Sequence, residues 1–341
     1  MEKKTNNTNV YNDAQYNHVR ETFPATIYYT GDYKLSLNMY TFNSNIDSAL
    51  KAKSTPPPIT TLDTIKWAAE SGFDAVDVTL YYVPGYDATN LSELPTNNIM
   101  DFARQIRETA LEAGIEISGT GIRNDFAAPD PLQRELDINR VKYWLKPAEE
   151  MGAPVMRVFA GLVPEDIAVY GWENITKNRI VPALREVADY AADNHPSVFI
   201  GIQNHADMLC TANQIIQLIK WVNRKNVGII NDIGSYRDFM SDDASRYNWY
   251  DDIALINPYA CNFQVKTKPA GADTKEDTNL VRFFTDLRKS FYRGYVPIEL
   301  LWTDAERASP RMMKELPFEE TKDFLEAVRR AMVETKVENR S

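Results

Sequence analysis

Residues 198–230 decide the fold, and they contain the apolar run Val198-Phe-Ile-Gly-Ile-Gln203, a helical segment over 211–224 and a second run, Val227-Gly-Ile-Ile230. Both runs are short and β-branched, as is typical of strands that are buried on both faces. Two parallel neighbouring strands need a long crossover connection, and a helix is the usual one. These residues therefore predict one strand–helix–strand unit of a parallel sheet.

The same unit recurs along the chain. The other predicted strands are 34–39, 75–80, 115–118, 155–159, 260–265 and 296–300, and a helical segment follows each of the eight strands. Eight such units are the number that closes a (β/α)8 TIM barrel, so an α/β fold of this kind is predicted for a single domain, 33–341. Residues 1–32 are polar and without period, and we interpret them as an N-terminal arm. An open doubly wound sheet is the alternative, but residues 38–43 offer no glycine for its phosphate loop.

Composition excludes several classes of partner. Lys and Arg number 38 and Asp and Glu 48, for a net charge of −10, which disfavours a nucleic-acid partner. No apolar run approaches the roughly 18 residues of a membrane span. Cys210 and Cys261 are far apart and suit a reducing compartment, and the first residues lack the apolar core of a signal peptide. We expect a cytoplasmic location and a neutral or weakly charged small-molecule ligand, and the composition leaves a homo-oligomer open.

Candidate site residues lie where the predicted strands end. Long segments follow the strands and short ones precede them, which places a site at the carboxyl ends of the barrel strands. Asp232 and Glu299 are acidic residues in otherwise apolar strands, and a buried carboxylate needs a cationic partner or a metal. The polar residues at the strand ends are Asn38, Tyr81, Arg123, Asn124, Asp125, Arg157, Gln203, Asn204, His205, Asp232, Gln264, Lys266, Glu299 and Trp302.

Four strand ends carry a resemblance to a known family. Gln203-Asn-His205, Asp232-Ile-Gly-Ser235, Gln264-Val-Lys-Thr267 and Pro297-Ile-Glu-Leu300 follow one another in the order of the xylose-isomerase-like TIM-barrel superfamily. The chain resembles its sugar (phosphate) isomerase/epimerase group over about 33–335. The resemblance implies a metal site with Glu, Asp, His and Glu ligands at these four ends. Here the corresponding residues are Gln203, Asp232, Gln264 and Glu299, so the chain resembles a sub-branch with altered metal ligands.

The altered ligand set leaves two interpretations of the site. Four oxygen donors with two charges suit Mg²⁺ or Mn²⁺ better than Zn²⁺, so one divalent ion of this kind is expected. The alternative is a hydrogen-bonded network of amides and carboxylates that binds sugar hydroxyls without a metal.

The resemblance also implies a reaction, isomerisation or epimerisation by proton transfer next to a sugar carbonyl. The family assigns this transfer to the glutamates of strands five and eight, but Gln203 cannot act as a base. We therefore expect Glu299 to be the base, with His205 as acid or base and Lys266 or Arg157 polarising the carbonyl. Substrate would contact Asn38, Tyr81, Arg123, Asn124, Asp125, Arg157, Asn204 and Trp302. Two alternatives remain: a lyase or hydratase acting on a keto-sugar or oxidised glycoside, and a non-catalytic sugar-binding barrel.

Overall fold

Eight parallel strands form a closed barrel in the order in which they occur along the chain. The computed structural model describes residues 32–86, 95–205, 207–236, 249–268, 277–290 and 292–338, so all of the predicted arm except Asp32 lies outside the described residues. The strands are β1 Lys34–Asn38, β2 Ala75–Thr79, β3 Glu116–Gly121, β4 Val155–Phe159, β5 Phe199–Gln203, β6 Val227–Asp232, β7 Ala260–Lys266 and β8 Tyr295–Glu299.

Helices connect successive strands and surround the barrel. They are α1 Asn43–Leu50, α2 Thr61–Glu70, α3 Asn97–Ala113, α4 Pro131–Met151, α5 Ile167–Tyr170, α6 Trp172–Ile175, α7 Val181–Asn194, α8 Ala212–Val222, α9 Trp249–Ile256, α10 Leu280–Lys289, α11 Asp304–Arg307 and α12 Phe318–Glu338. A π-helical segment, Thr176–Ile180, leads into α7. The predicted (β/α)8 barrel is confirmed.

Local signals in the sequence set the helix ends. The Thr60 hydroxyl accepts a hydrogen bond from the Asp63 backbone amide at 3.0 Å, and Asp130 caps α4 by accepting from the Leu132 amide at 2.9 Å. Such side chains satisfy amides that have no partner within the helix. Gly114 ends α3 in a left-handed conformation, with φ of 69°, that costs glycine little.

Closure of the barrel brings β1 and β8 together, with Leu35 opposite Val296 and Leu37 opposite Ile298. The apolar core lies between the strands and the surrounding helices, where Leu37, Ile298 and Trp144 are fully buried. No helix in the described part of the chain is long and apolar enough to cross a membrane.

Polar side chains occupy part of the barrel interior. The Ser36 and Ser118 hydroxyl oxygens lie 2.7 Å apart, and the Asn262 amide donates to the Ser118 carbonyl at 3.2 Å. The same amide lies 3.3 Å from Asp77 Oδ2. These contacts link β1, β2, β3 and β7 below the site described next, and they place one carboxylate, Asp77, inside the barrel.

Candidate active site

A cavity of about 740 Å³ opens at the carboxyl ends of the strands. Its volume is within the range of small-molecule sites in enzymes. All of the site residues predicted from the sequence except Asn204 and Asp232 line it. The structure therefore brings these side chains together around one cavity, as the parallel arrangement of the strands requires.

The centre of the site is a hydrogen-bonded cluster around Asp232, which is fully buried. Lys266 Nζ lies 2.7 Å from Asp232 Oδ2, and the Gln203 side-chain amide donates to the same oxygen at 2.7 Å. That amide also donates to Gln264 Oε1 at 2.8 Å. The second Asp232 oxygen, Oδ1, accepts from the Gly234 backbone amide at 3.0 Å. Both carboxylate oxygens of Asp232 thus already have donors.

This cluster does not fit a divalent metal. An ion bound to Asp232 would have to displace an ammonium group of the same sign, and Gln203 presents its amide hydrogens, not its oxygen, to the carboxylate. Among the described residues, no group of three or more His, Cys, Asp or Glu side chains is placed to hold a metal. The ammonium of Lys266 supplies the positive charge that a buried carboxylate requires.

Glu299 is the second buried carboxylate of the site, with 4% of its surface exposed. Its one hydrogen-bond donor among the described residues is the Asn38 amide, at 3.3 Å. Burial raises the pKa of Glu299 above its ordinary value, and the positive charge of Lys266 opposes that effect. Burial also disfavours the charged form of Lys266, but the negative charges of Asp232 and Glu299 outweigh it and raise the pKa of that amine. The ammonium therefore stays charged beside a carboxyl group of raised pKa.

Arginines line the opposite side of the barrel, where β4 faces β8. Arg157, in β4, is buried, donates to the Tyr81 hydroxyl at 2.8 Å and lies over the Phe159 ring at 4.2 Å. The Arg123 guanidinium lies over the ring of the same tyrosine, with its carbon 4.7 Å from the ring centroid. Two guanidinium groups therefore flank one tyrosine.

Three of the predicted site residues form hydrogen bonds with the protein backbone. Asn204 lies behind the cavity, and its amide exchanges two 2.9 Å hydrogen bonds with the backbone of Asp232. Asn124 makes a matching pair with Phe159 at 2.8 Å. Trp302 donates from its indole nitrogen to the Thr41 carbonyl at 3.0 Å. Asn204 therefore joins β5 to β6, while Asn124 and Trp302 still contribute to the cavity wall.

Two further residues of the predicted site lie in loops, and both are hydrogen-bonded. Asp125 Oδ1 accepts from the backbone amides of Ala127 and Leu162, at 2.9 and 3.2 Å. His205 lines the cavity and is exposed, and its Nδ1 lies 3.2 Å from Asp207 Oδ2, whereas Glu299 and Lys266 are buried.

The structure adds a carboxylate that the strand-end reasoning missed. Asp77 lies in the middle of β2, lines the cavity and is 6% exposed. Burial raises the pKa of Asp77 to about 6, against an opposing effect of Arg157. The sequence signal for Asp77 is the same one that identified Asp232 and Glu299. It is an acidic residue within an apolar strand, here Ala75-Val-Asp-Val. Tyr40, Asp137 and Arg140 also line the cavity.

A comparison with family profiles decides the classification. The profile described as "Xylose isomerase-like TIM barrel" matches residues 65–328, well over half of the chain. The chain belongs to the xylose isomerase-like TIM-barrel family. The resemblance inferred from the strand ends is therefore confirmed. A sequence search among curated proteins finds no significant match.

Solved structures share the fold of this xylose isomerase-like barrel at low sequence identity. D-psicose 3-epimerase from Clostridium cellulolyticum H10 is 16% identical, with a TM-score of 0.65 over 88% of this chain and 99% of that one. 3-keto-D-glucoside 4-epimerase from E. coli is 15% identical, with a TM-score of 0.60 over 87% and 99%. A xylose isomerase-like/4-hydroxyphenylpyruvate dioxygenase fusion protein is 16% identical, with a TM-score of 0.57, and the match covers 82% of this chain but only 40% of the fusion.

Proposed function

We propose that this protein is a carbohydrate-modifying enzyme in which Glu299 transfers a proton next to a sugar carbonyl. The observation that carries the proposal is a buried carboxylate of raised pKa beside a buried ammonium group, in a cavity of sugar size. A base of raised pKa is stronger than an ordinary carboxylate, and general acid–base catalysis depends on such adjustment. Two of the fold relatives are named as sugar epimerases, which supports this class of substrate.

The proton transfer follows from the chemistry of these groups. The Glu299 carboxylate removes the proton from the carbon next to the carbonyl and forms an enediolate. Glu299 then returns the proton to the neighbouring carbon, while the hydroxyl proton passes between the two oxygens. One C–H bond breaks and another forms, and the carbonyl moves by one carbon. The expected product is an isomeric sugar.

Lys266 is proposed to stabilise the enediolate oxygen. Its ammonium is held by Asp232, lines the cavity and stays charged because its pKa is raised. A fixed cation beside a developing oxyanion in a buried site lowers the barrier. The reaction is therefore expected to need no divalent ion.

The absence of a second glutamate favours isomerisation over epimerisation. Inversion at a carbon needs a proton donor on the face opposite the base, whereas an isomerase can remove and return the proton on one face. Gln203 stands where the resemblance implies the second glutamate, and an amide neither accepts nor donates that proton. With an amide at that place, Glu299 would transfer the proton between neighbouring carbons on the same face.

A lyase acting on a keto-sugar is the second candidate, and Asp77 favours it. A carboxyl group with a pKa of about 6 is partly protonated near neutral pH. After Glu299 removes the proton next to the carbonyl, Asp77 would donate a proton to the hydroxyl on the next carbon. The C–O bond then breaks, water leaves, and a carbon–carbon double bond forms.

Hydrogen exchange in D₂O tests these proposals. Aldoses, ketoses and keto-glycosides are incubated with the protein, and proton NMR follows the hydrogen next to the carbonyl. The proposed isomerase exchanges it and forms the isomeric sugar, and Glu299→Gln lowers the rate roughly 10²–10⁴-fold. An unsaturated product identifies the lyase. Glu135→Gln, the same substitution on an exposed residue of α4, is the matched control.

Two outcomes contradict the proposal. Sugar binding without exchange or elimination, equal in the native protein and Glu299→Gln, identifies a non-catalytic barrel. Loss of exchange after dialysis against EDTA, with recovery on adding Mn²⁺, refutes the role given to Lys266 and leaves that of Glu299 standing.

A further inference from the structure

Arg157, which lines the cavity, has a hydrogen-bonding group without a partner. Its Nη2 donates to the Tyr81 hydroxyl, but its Nη1 is buried and has no hydrogen-bond partner among the described residues. A buried donor without a partner costs free energy, and such groups in native proteins commonly have a function or a ligand. Arg157 itself is only 7% exposed, so the unused donor belongs to a fixed side chain.

A glycine next to Arg157 leaves space for its side chain. Gly121, at the end of β3, is paired with Arg157 across the two strands. A Cβ atom added to Gly121 would lie 2.5 Å from Arg157 Nε and 2.8 Å from its Nη2, closer than real Cβ contacts. The guanidinium therefore packs directly against the β3 backbone, and its carbon lies 5.4 Å from the centroid of the Tyr81 ring and 4.2 Å from that of the Phe159 ring. These contacts fix the position of the side chain.

Among the described residues, neither Arg157 nor Arg123 has a carboxylate within ion-pair distance, although both guanidinium groups lie near the Tyr81 ring. By contrast, Arg140, which also lines the cavity, pairs with Asp137 at 2.6 Å. An anion that contacts both guanidinium groups would form charge-assisted hydrogen bonds with each of them.

We propose that the substrate is a sugar acid whose carboxylate binds to Arg157 and Arg123. This inference rests on the proposed function and names the class of substrate for the same cavity. β4 lies four strands from β8 in the barrel, so the carboxylate would sit across the cavity from Glu299. A planar carboxylate matches the planar guanidinium, which is why arginine is preferred for such anions.

Binding of matched sugar pairs tests the proposal. Titration calorimetry and thermal shift compare D-glucuronate with D-glucose and D-galacturonate with D-galactose, and D-glucose 6-phosphate probes a phosphate ester. We expect at least one uronate to bind at least about tenfold more tightly than its neutral partner, as one charge-assisted hydrogen bond allows. Arg157→Met should remove this preference, and Arg157→Lys should keep only part of it.

Gly121→Ala gives an independent variant, because it displaces the guanidinium while leaving its charge in the protein. It should weaken uronate binding and leave binding of the neutral sugar within about twofold, a change well below the gain of a charge-assisted contact. Arg104→Met removes the same charge from the surface of α3, where Arg104 pairs with Asp101, and serves as the control.

The outcomes are decisive. The proposal is overturned if each uronate binds no more tightly than its neutral partner, or if neither uronate binds. It is also overturned if folded Arg157→Met keeps the preference for uronate, or if only the phosphate ester is preferred. Binding and hydrogen exchange are separate measurements. Uronate selectivity without hydrogen exchange would therefore refute only the proposed reaction. Exchange on neutral sugars without uronate selectivity would refute only the sugar-acid assignment.

Discussion

Replacing Asp77 by Asn should stabilise the folded protein, and increasingly so as the pH rises. Burial raises the pKa of Asp77 from its ordinary value of 3.8 to about 6, so the folded state binds this proton more tightly than the unfolded state does. Stability is therefore lost as the pH rises from 3.8 through 6. A shift of this size lowers the free energy of unfolding by about 3 kcal/mol at pH 8 and by roughly half of that at pH 5.

Asn keeps the size of the side chain and an oxygen that can accept from the Asn262 amide, but it carries no charge. Thermal unfolding of both proteins at pH 5 and pH 8 measures the effect. In a chain of this length, 3 kcal/mol raises Tm by about 4 °C. Asp193→Asn, on an exposed residue of α7, is the control. A difference between Asp77→Asn and the native protein that does not grow with pH, or a variant less stable at pH 8, would refute the assignment.

Three further predictions concern the centre of the site. Gln203→Glu places a second carboxylate beside Asp232, so MnCl₂ should raise its Tm, measured by thermal shift, more than that of the native protein. A Cβ atom at position 234 would lie 2.4 Å from Lys266 Cδ, so Gly234→Ala should displace the ammonium and slow hydrogen exchange roughly 10²-fold or more, while neutral-sugar binding persists. The exchange rate should rise with pH through the raised pKa of Glu299, because only the carboxylate acts as base, and a pH-independent rate would contradict this.

Much of the secondary structure follows from local patterns. Each of the eight predicted strands overlaps an observed one, and β4, predicted at 155–159, has those bounds. The largest difference is β3, predicted at 115–118 and observed at Glu116–Gly121, because its second half contains two glycines and a threonine. These small residues lower the apolar signal of a strand, yet in the barrel they allow close approach of Arg157 and Asp77.

The sequence by itself determined that the strand-end residues meet around one cavity, because parallel strands with helical crossovers all place their carboxyl ends on the same side of a barrel. Only the tertiary structure decided how these residues pair. The ion pair between Lys266 and Asp232 depends on contacts between different strands, and so does the packing of Arg157 against Gly121. The presence of Asp77 in the same cavity depends on the way β2 is placed in the barrel. Such contacts are made by side chains far apart in the chain, and no local period in the sequence encodes their direction or distance.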